Sequence, residues 1–245
     1  MVSSTANRQA EPVIRAPRWG FLTNHAIVLV YVVLHSESTV RQVSSDAGIT
    51  ERATLAILRD LDADGIIERH RDGRRNTYSV NFEHLSGVRR GGTDSPLTPR
   101  PFVDVIIKML FEMAHRPEGA PKAPSVPRIL RDEDLTPRVG TWGFFTNHML
   151  LLLAMARDSG NTVRDLAVTV GITERAIVGI ANQMEDEGII ARTREGRRNT
   201  YTIDFDAFRK FRGWSLGTWE IPPKLIDVAA KSVNSLASRP RNTKT

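Results

Sequence analysis

The first hundred residues have a pattern of apolar and polar positions that predicts three short helices in succession. An apolar run from Ala26 to Leu34 predicts the first helix, with Thr23 before it as a candidate N-cap. The second helix is predicted from the capping-box spacing that begins at Thr39, and it should end near Ala47. Gly48 then supplies the tight turn that leads into the third helix.

Thr50 is the predicted N-cap of the third helix, and Gly65 is predicted to end it. The apolar residues of this helix fall on one face, formed by Ala53, Ile57, Leu58 and Leu61. Residues 66–71 and 75–81 read as two strands, and the dipeptide Asp72-Gly73 between them is a strong hairpin signal. A helix–turn–helix followed by a β-hairpin is therefore predicted.

The whole arrangement occurs a second time, 123 positions later and without a gap. Residues 19–82 and 142–205 are identical at 30 of 64 positions, which indicates a duplicated domain rather than a short solenoid repeat. The second copy also indicates that the first apolar run forms a helix rather than a strand. Its β-branched run is compatible with a strand, but the matching residues Met149–Ala156 are strong helix formers.

An apolar terminal helix is predicted after each hairpin, at Phe102–His115 and again at Leu225–Ala237. We expect these helices to pack on their own domains and on each other. The fold class expected is mainly α with small β-wings, in two tandem domains. The predicted ranges are a disordered arm at 1–16, domain one at 17–116, a Pro-rich linker at 117–138, domain two at 139–240 and a basic tail at 241–245.

The positive charge of the chain is concentrated in the two predicted hairpins. The formal net charge is +6, and residues 69–75 and 192–198 each contribute +3. Two repeated basic hairpins on an otherwise balanced chain indicate a polyanionic partner. The chain has no cysteine and its longest apolar run is about half of the ~20 residues that a bilayer span requires. A protein without membrane contact, cytoplasmic and associated with the nucleoid, is expected.

The order of these elements, with Gly48–Ala53 and Gly73–Tyr78 and their second copies, resembles bacterial winged helix-turn-helix transcriptional regulators of the MarR/ArsR-like superfamily. The resemblance covers residues 19–82 and 142–205, roughly half of the chain. It implies double-stranded DNA as the partner, with the third helix in the major groove and the hairpin, or wing, on the backbone or in the minor groove. It also implies that terminal helices can form a homodimer contact.

The resemblance assigns DNA contacts to two sets of residues. The candidate contacts in the recognition helices are Thr50, Arg52, Thr54, Leu55, Arg59, Thr173, Arg175, Ile177 and Asn182. The candidate contacts in the wings are Arg69, Arg71, Arg74, Arg75, Asn76, Arg192, Arg194, Arg197, Arg198 and Asn199. The chain departs from the family pattern at Leu55 and Ala56, which are apolar where such regulators often carry polar or basic residues.

The sequence contains no motif for catalysis, cofactor binding or metal binding, so we expect neither an enzyme nor a cofactor. The expected function is a transcriptional regulator whose two domains form a covalent pseudo-dimer. Two alternatives remain open: a weakly specific architectural or replication-initiator-like DNA-binding protein, and a winged-helix scaffold that binds other proteins.

Overall fold

The computed structural model describes residues 19–72, 75–87, 100–114, 143–195, 198–214 and 219–238. Within these residues the fold is mainly helical with two small antiparallel hairpins, as expected from the sequence. Repeat one contains α1 Asn24–Leu34, α2 Val40–Ala47, α3 Glu51–Ala63, β1 Ile67–Asp72, β2 Arg75–Val80, α4 Phe82–Gly87 and α5 Arg100–Ala114. Repeat two contains α6 Asn147–Arg157, α7 Val163–Val170, α8 Glu174–Asp186, β3 Ile190–Glu195, β4 Arg198–Ile203, α9 Phe205–Lys210 and α10 Pro223–Ala237. The predicted arm, linker and tail lie outside the described residues.

The helices begin and end where local side-chain chemistry requires. Thr39 and Gln42 form the predicted capping box at the start of α2, and the Thr50 side chain accepts from the Ala53 amide at the start of α3. Gly48 ends α2 with a φ of 69°, a left-handed conformation that glycine adopts without steric cost. Threonine caps and a left-handed glycine occur at the matching positions of repeat two, so both copies use the same local signals.

Each hairpin is tied to the turn that follows the first helix of its repeat. The backbone amide of Tyr78 in β2 donates to the carbonyl oxygen of Ser36 at 2.9 Å, and Tyr201 donates to Ser159 at 3.2 Å. Both tyrosines are buried. These contacts hold each hairpin against the helices of its own repeat.

The terminal helices pack as predicted. Helix α5 contacts α1, α10 contacts α6, and α5 and α10 also contact each other. The apolar face of α5 includes Ile106, Ile107 and Leu110, and all three are buried. Much of the apolar surface of α5 and α10 is thus covered inside one chain.

The two repeats are joined by a reciprocal contact between the segments 20–23 and 143–146, which we call the junction strands. Leu22 and Phe145 form an antiparallel β-bridge. The Thr23 amide donates to the carbonyl oxygen of Phe144, and the Thr146 amide donates to that of Phe21, both at 3.0 Å. Thr146 is the counterpart of Thr23, and Phe144 is the counterpart of Phe21, at the 123-residue offset. Each repeat therefore makes the same hydrogen bond to the other, as in an isologous interface.

Side chains of the same two threonines extend this symmetry. The Thr23 hydroxyl donates to the carbonyl oxygen of Gly143 at 2.5 Å, and the Thr146 hydroxyl donates to that of Gly20 at 2.6 Å. Thr23 also caps α1, as predicted, by accepting from the Ala26 amide. The Thr146 side chain makes no such cap hydrogen bond at the start of α6, so the symmetry lies in the hydrogen bonds exchanged between the repeats, as expected about a local pseudo-two-fold axis.

An aromatic cluster contributed by repeat two departs from this symmetry. The buried ring of Phe21 lies 4.9 Å from the ring of Phe208, 5.3 Å from that of Phe211 and 5.1 Å from that of Trp214. The corresponding positions of repeat one hold Leu85, Val88 and Gly91. Repeat two thus supplies three of the aromatic rings packed on Phe21, and Trp19 of repeat one supplies another, with ring centroids 5.4 Å apart.

The segment between α9 and α10 approaches repeat one closely. A Cβ atom built on Gly213 would lie 2.5 Å from the carbonyl oxygen of Trp19 and would also overlap the Phe211 ring, so this position needs glycine. Farther along, the Trp219 amide donates to the carbonyl oxygen of Asp46 in α2 at 3.1 Å. The two repeats consequently share one continuous hydrophobic core.

Candidate nucleic-acid interface

The outward face of α3 carries most of the contacts predicted for the recognition helix of repeat one. Thr50, Arg52 and Arg59 are exposed, and Leu55 is half-buried. The opposite face is buried at Thr54, Ile57, Leu58 and Leu61, the spacing of one helical stripe. The exposed arginines therefore lie on the side of α3 that faces away from the core.

Two of the residues predicted to contact DNA are buried instead. Thr54 and its counterpart Ile177 are 0% exposed, and the Thr54 hydroxyl donates to the backbone carbonyl of Thr50. The buried stripe of α3 contains Thr54, whereas the sequence interpretation placed Ala53 in it. A buried side chain cannot reach a base edge, so both residues belong to the core.

A histidine at the start of the first helix is linked to the third helix in each repeat. His25 Nε2 lies 3.1 Å from Asp60 Oδ2, and His148 Nε2 hydrogen-bonds Gln183 Oε1 at 2.8 Å. These pairs position the exposed faces of α3 and α8. Burial of the ring lowers the pKa of His148, an effect that its hydrogen bond to the side-chain oxygen of Gln183 partly opposes.

His148 also contacts the other repeat. Its ring stacks on the indole of Trp19 with centroids 4.1 Å apart and planes 7° apart. Trp19 immediately precedes the junction strand of repeat one. His148, which hydrogen-bonds Gln183 of α8, is thereby in direct contact with repeat one.

The described part of the first hairpin presents the basic surface expected of it. Arg69 and Arg71 are exposed, and Asn76 is half-buried. Arg74 lies outside the described residues, and so does the side chain of Arg75.

The second hairpin differs because one of its arginines is held by α8. Arg192 forms an ion pair with Glu185 and donates to Asn182 Oδ1 at 2.9 Å. Arg194 is exposed and Asn199 is half-buried, whereas Arg197 and the side chain of Arg198 lie outside the described residues. Asn182, a predicted DNA contact, is exposed, but its side-chain oxygen accepts from Arg192 of the same domain.

The exposed face of α8 is less polar than that of α3. Thr173 and Arg175 are exposed, as predicted, but the next outward positions are Val178 and Gly179. Val178 is 40% exposed and is one of two large apolar side chains exposed in the described part of the chain, the other being Val168 of α7.

No family model, curated protein or solved structure matches this chain. Its function must therefore be argued from its own residues. None of the described helices is long and apolar enough to cross a membrane. Among the described residues, no group of three or more His, Cys, Asp or Glu side chains is arranged to hold a metal ion.

Sequence reasoning missed the junction strands, although a signal was present. The motif Trp-Gly-Phe before position 22 recurs before position 145, in a segment too short to be a helix or an independent strand. Identity maintained outside a predicted element indicates a tertiary contact. The sequence contained a weaker indication of the ion pair of Arg192. Repeat two has Glu185 and Asn182 where repeat one has Asp62 and Arg59.

Proposed function

We propose that the protein is a cytoplasmic DNA-binding transcriptional regulator that uses two tandem winged helix-turn-helix domains as a covalent pseudo-dimer. The reciprocal junction between Thr23 and Thr146 is the observation that carries this proposal. Single-domain DNA-binding proteins place two recognition helices about a two-fold axis by pairing two chains. Here one chain contains an equivalent isologous contact.

The arrangement within each repeat supports the same conclusion. Helices α2 and α3 are joined by the turn at Gly48 and followed by a hairpin with exposed arginines, the order of a winged helix-turn-helix. On this proposal, α3 and α8 enter successive major grooves. Arg52 and Arg175 contact base edges or phosphates there, and the wing arginines contact the DNA backbone.

The packing of the terminal helices supports a single chain as the functional unit. Because the large apolar side chains described on α5 and α10 are buried or half-buried within the chain, they do not need a second chain to cover them. The complex should then contain one chain per site, and a homodimer formed through these helices is disfavoured.

The bound site should be an imperfect inverted repeat. A rigid pseudo-two-fold arrangement requires half-sites about 34–36 Å apart, close to one turn of the double helix. The half-sites should differ in sequence because Arg59 of α3 is replaced by Asn182 in α8, where it is held by Arg192.

Fluorescence anisotropy with duplex DNA tests the proposal in two steps. The affinity for random duplex should fall steeply with salt, since phosphate contacts release counterions. Binding that is absent, or that does not depend on salt, would favour the protein scaffold alternative. A selected site should next be bound with a footprint of defined edges, and binding without one would favour the architectural alternative.

A separate experiment inserts five base pairs between the half-sites. This insertion adds about half a helical turn and rotates one half-site to the opposite face of the duplex. A rigid pseudo-dimer should therefore lose at least about tenfold in affinity. A ten-base-pair insertion in the same duplex is the control for spacing without rotation. Affinity that survives the five-base-pair insertion would show that the repeats bind as flexibly tethered domains.

A further inference from the structure

The exposed valine on α8 lies outside the stripe of this helix that faces the core. The core-facing positions of this helix are Ile177, Ala181 and Met184, all of them buried. Val178 points away from that core and is 40% exposed, so a sizeable part of its apolar surface is in contact with water. On a surface proposed to bind DNA, such a side chain is suited to contact with an apolar group of the DNA.

The neighbours of Val178 leave it free to reach such a partner. Gly179 follows it, and a Cβ atom built there would have nothing within 4 Å, so the helix surface beside Val178 is open. Asn182, one turn later, accepts a hydrogen bond from Arg192 within the domain. Arg175, one turn earlier, is exposed and supplies a positive charge for the DNA backbone.

The base edges in the major groove carry only one apolar group, the C5-methyl of thymine. The remaining groups are hydrogen-bond donors and acceptors, which a valine cannot satisfy. We infer that Val178 is a specificity-determining residue that packs on a thymine methyl group in the half-site bound by repeat two. This inference rests on the proposed function.

Repeat one has a different character at the same positions. Leu55, the counterpart of Val178, is half-buried, and Arg59 is exposed where repeat two has Asn182. An exposed arginine is suited to bidentate contact with guanine. The two half-sites should accordingly differ, with a thymine read in one and a guanine in the other.

Deoxyuridine substitution tests the inference because it removes only the methyl group. The full-length chain is first used to select bound duplexes from a random pool. Every thymine of one half-site is then replaced by deoxyuridine, the other half-site is treated separately, and dissociation constants are measured by anisotropy at fixed salt. Burial of one methyl group corresponds to about a fourfold change in affinity, so substitution in one half-site should weaken binding by about that factor.

Val178→Ala should abolish this difference between thymine and deoxyuridine. Val168→Ala is the matched control, since Val168 is equally apolar and 78% exposed but lies on α7. It should leave the difference intact. A difference that persists in Val178→Ala, or that Val168→Ala removes equally, would overturn the assignment to Val178.

The result also separates this inference from the proposed function. Salt-dependent, site-specific binding that is insensitive to deoxyuridine in both half-sites overturns the thymine contact alone. A chain that binds no duplex DNA overturns the proposed function and the inference together.

Discussion

Replacing Phe21 by alanine should destabilise both repeats at once, because this ring of repeat one is enclosed by side chains of repeat two. Phe21 is fully buried, and its ring centroid lies within 5.3 Å of three aromatic rings that follow the second hairpin. Truncating a buried phenylalanine costs about 3–5 kcal/mol, and an aromatic pair contributes about 0.5–1.5 kcal/mol beyond its buried area. With several partners lost, a value near the upper end is expected.

Thermal denaturation followed by circular dichroism measures this effect. For a chain of this size, 1 kcal/mol corresponds to about 2–4 °C in Tm, so Phe21→Ala should lower Tm by roughly 8–16 °C. The wild-type chain should unfold in one transition because its repeats share a core. Phe21→Leu, which keeps an apolar side chain of similar size, is the control and should lose much less.

A double-mutant cycle shows whether the loss arises across the boundary between repeats. The unfolding free energies of Phe21→Ala, Phe208→Ala and the double variant should be non-additive by about 0.5–1.5 kcal/mol. Two separate transitions in the wild-type chain, or strict additivity in the cycle, would refute the shared core.

Three further predictions follow from the same structure. Gly213→Ala should lower stability by about 1–3 kcal/mol because the added methyl group overlaps repeat one, whereas Gly179→Ala, in open space on a helix, should raise it by up to about 1 kcal/mol. Because the pKa of His148 is lowered in the folded state, its contribution to stability is present above about pH 6.5 and is lost as the pH falls from there through the folded-state pKa. In urea denaturation, His148→Gln should therefore lose less stability at acid pH than the wild-type chain. Arg69→Ala should reduce the salt slope of DNA binding by about one, while Arg192→Ala, which removes an arginine already paired with a carboxylate, should change the slope little.

Local signals in the sequence were sufficient to predict most helices and both hairpins. A capping box such as Thr39 with Gln42, or a turn such as Gly48, depends only on atoms within a few residues. The duplication provided a second amino-acid sequence for each element, and the second copy indicated that the first apolar run is a helix. The small differences concern ends: α5 begins at Arg100 rather than Phe102, and the short helices α4 and α9 were not predicted.

The candidate site was predicted less completely than the fold. Arg52, Arg59, Arg69 and Arg175 are exposed, as a charged residue on an amphipathic element usually is. Thr54 was misassigned because a threonine can be buried when its hydroxyl is satisfied by a carbonyl oxygen one turn earlier, which periodicity alone does not reveal. Asn182 was predicted only as a DNA contact, because its hydrogen-bond partner Arg192 is ten residues away on a strand and no local pattern indicates that contact.

The sequence by itself determined what each repeat is: three capped helices, a basic hairpin and an apolar terminal helix, present twice. Only the tertiary structure decided how the copies meet. The pairing of Thr23 with the residue 121 positions ahead, and of Phe21 with an aromatic cluster from the other copy, joins groups that no local rule connects. Such contacts require two complementary surfaces, and complementarity depends on the positions of atoms in space rather than on their spacing along the chain.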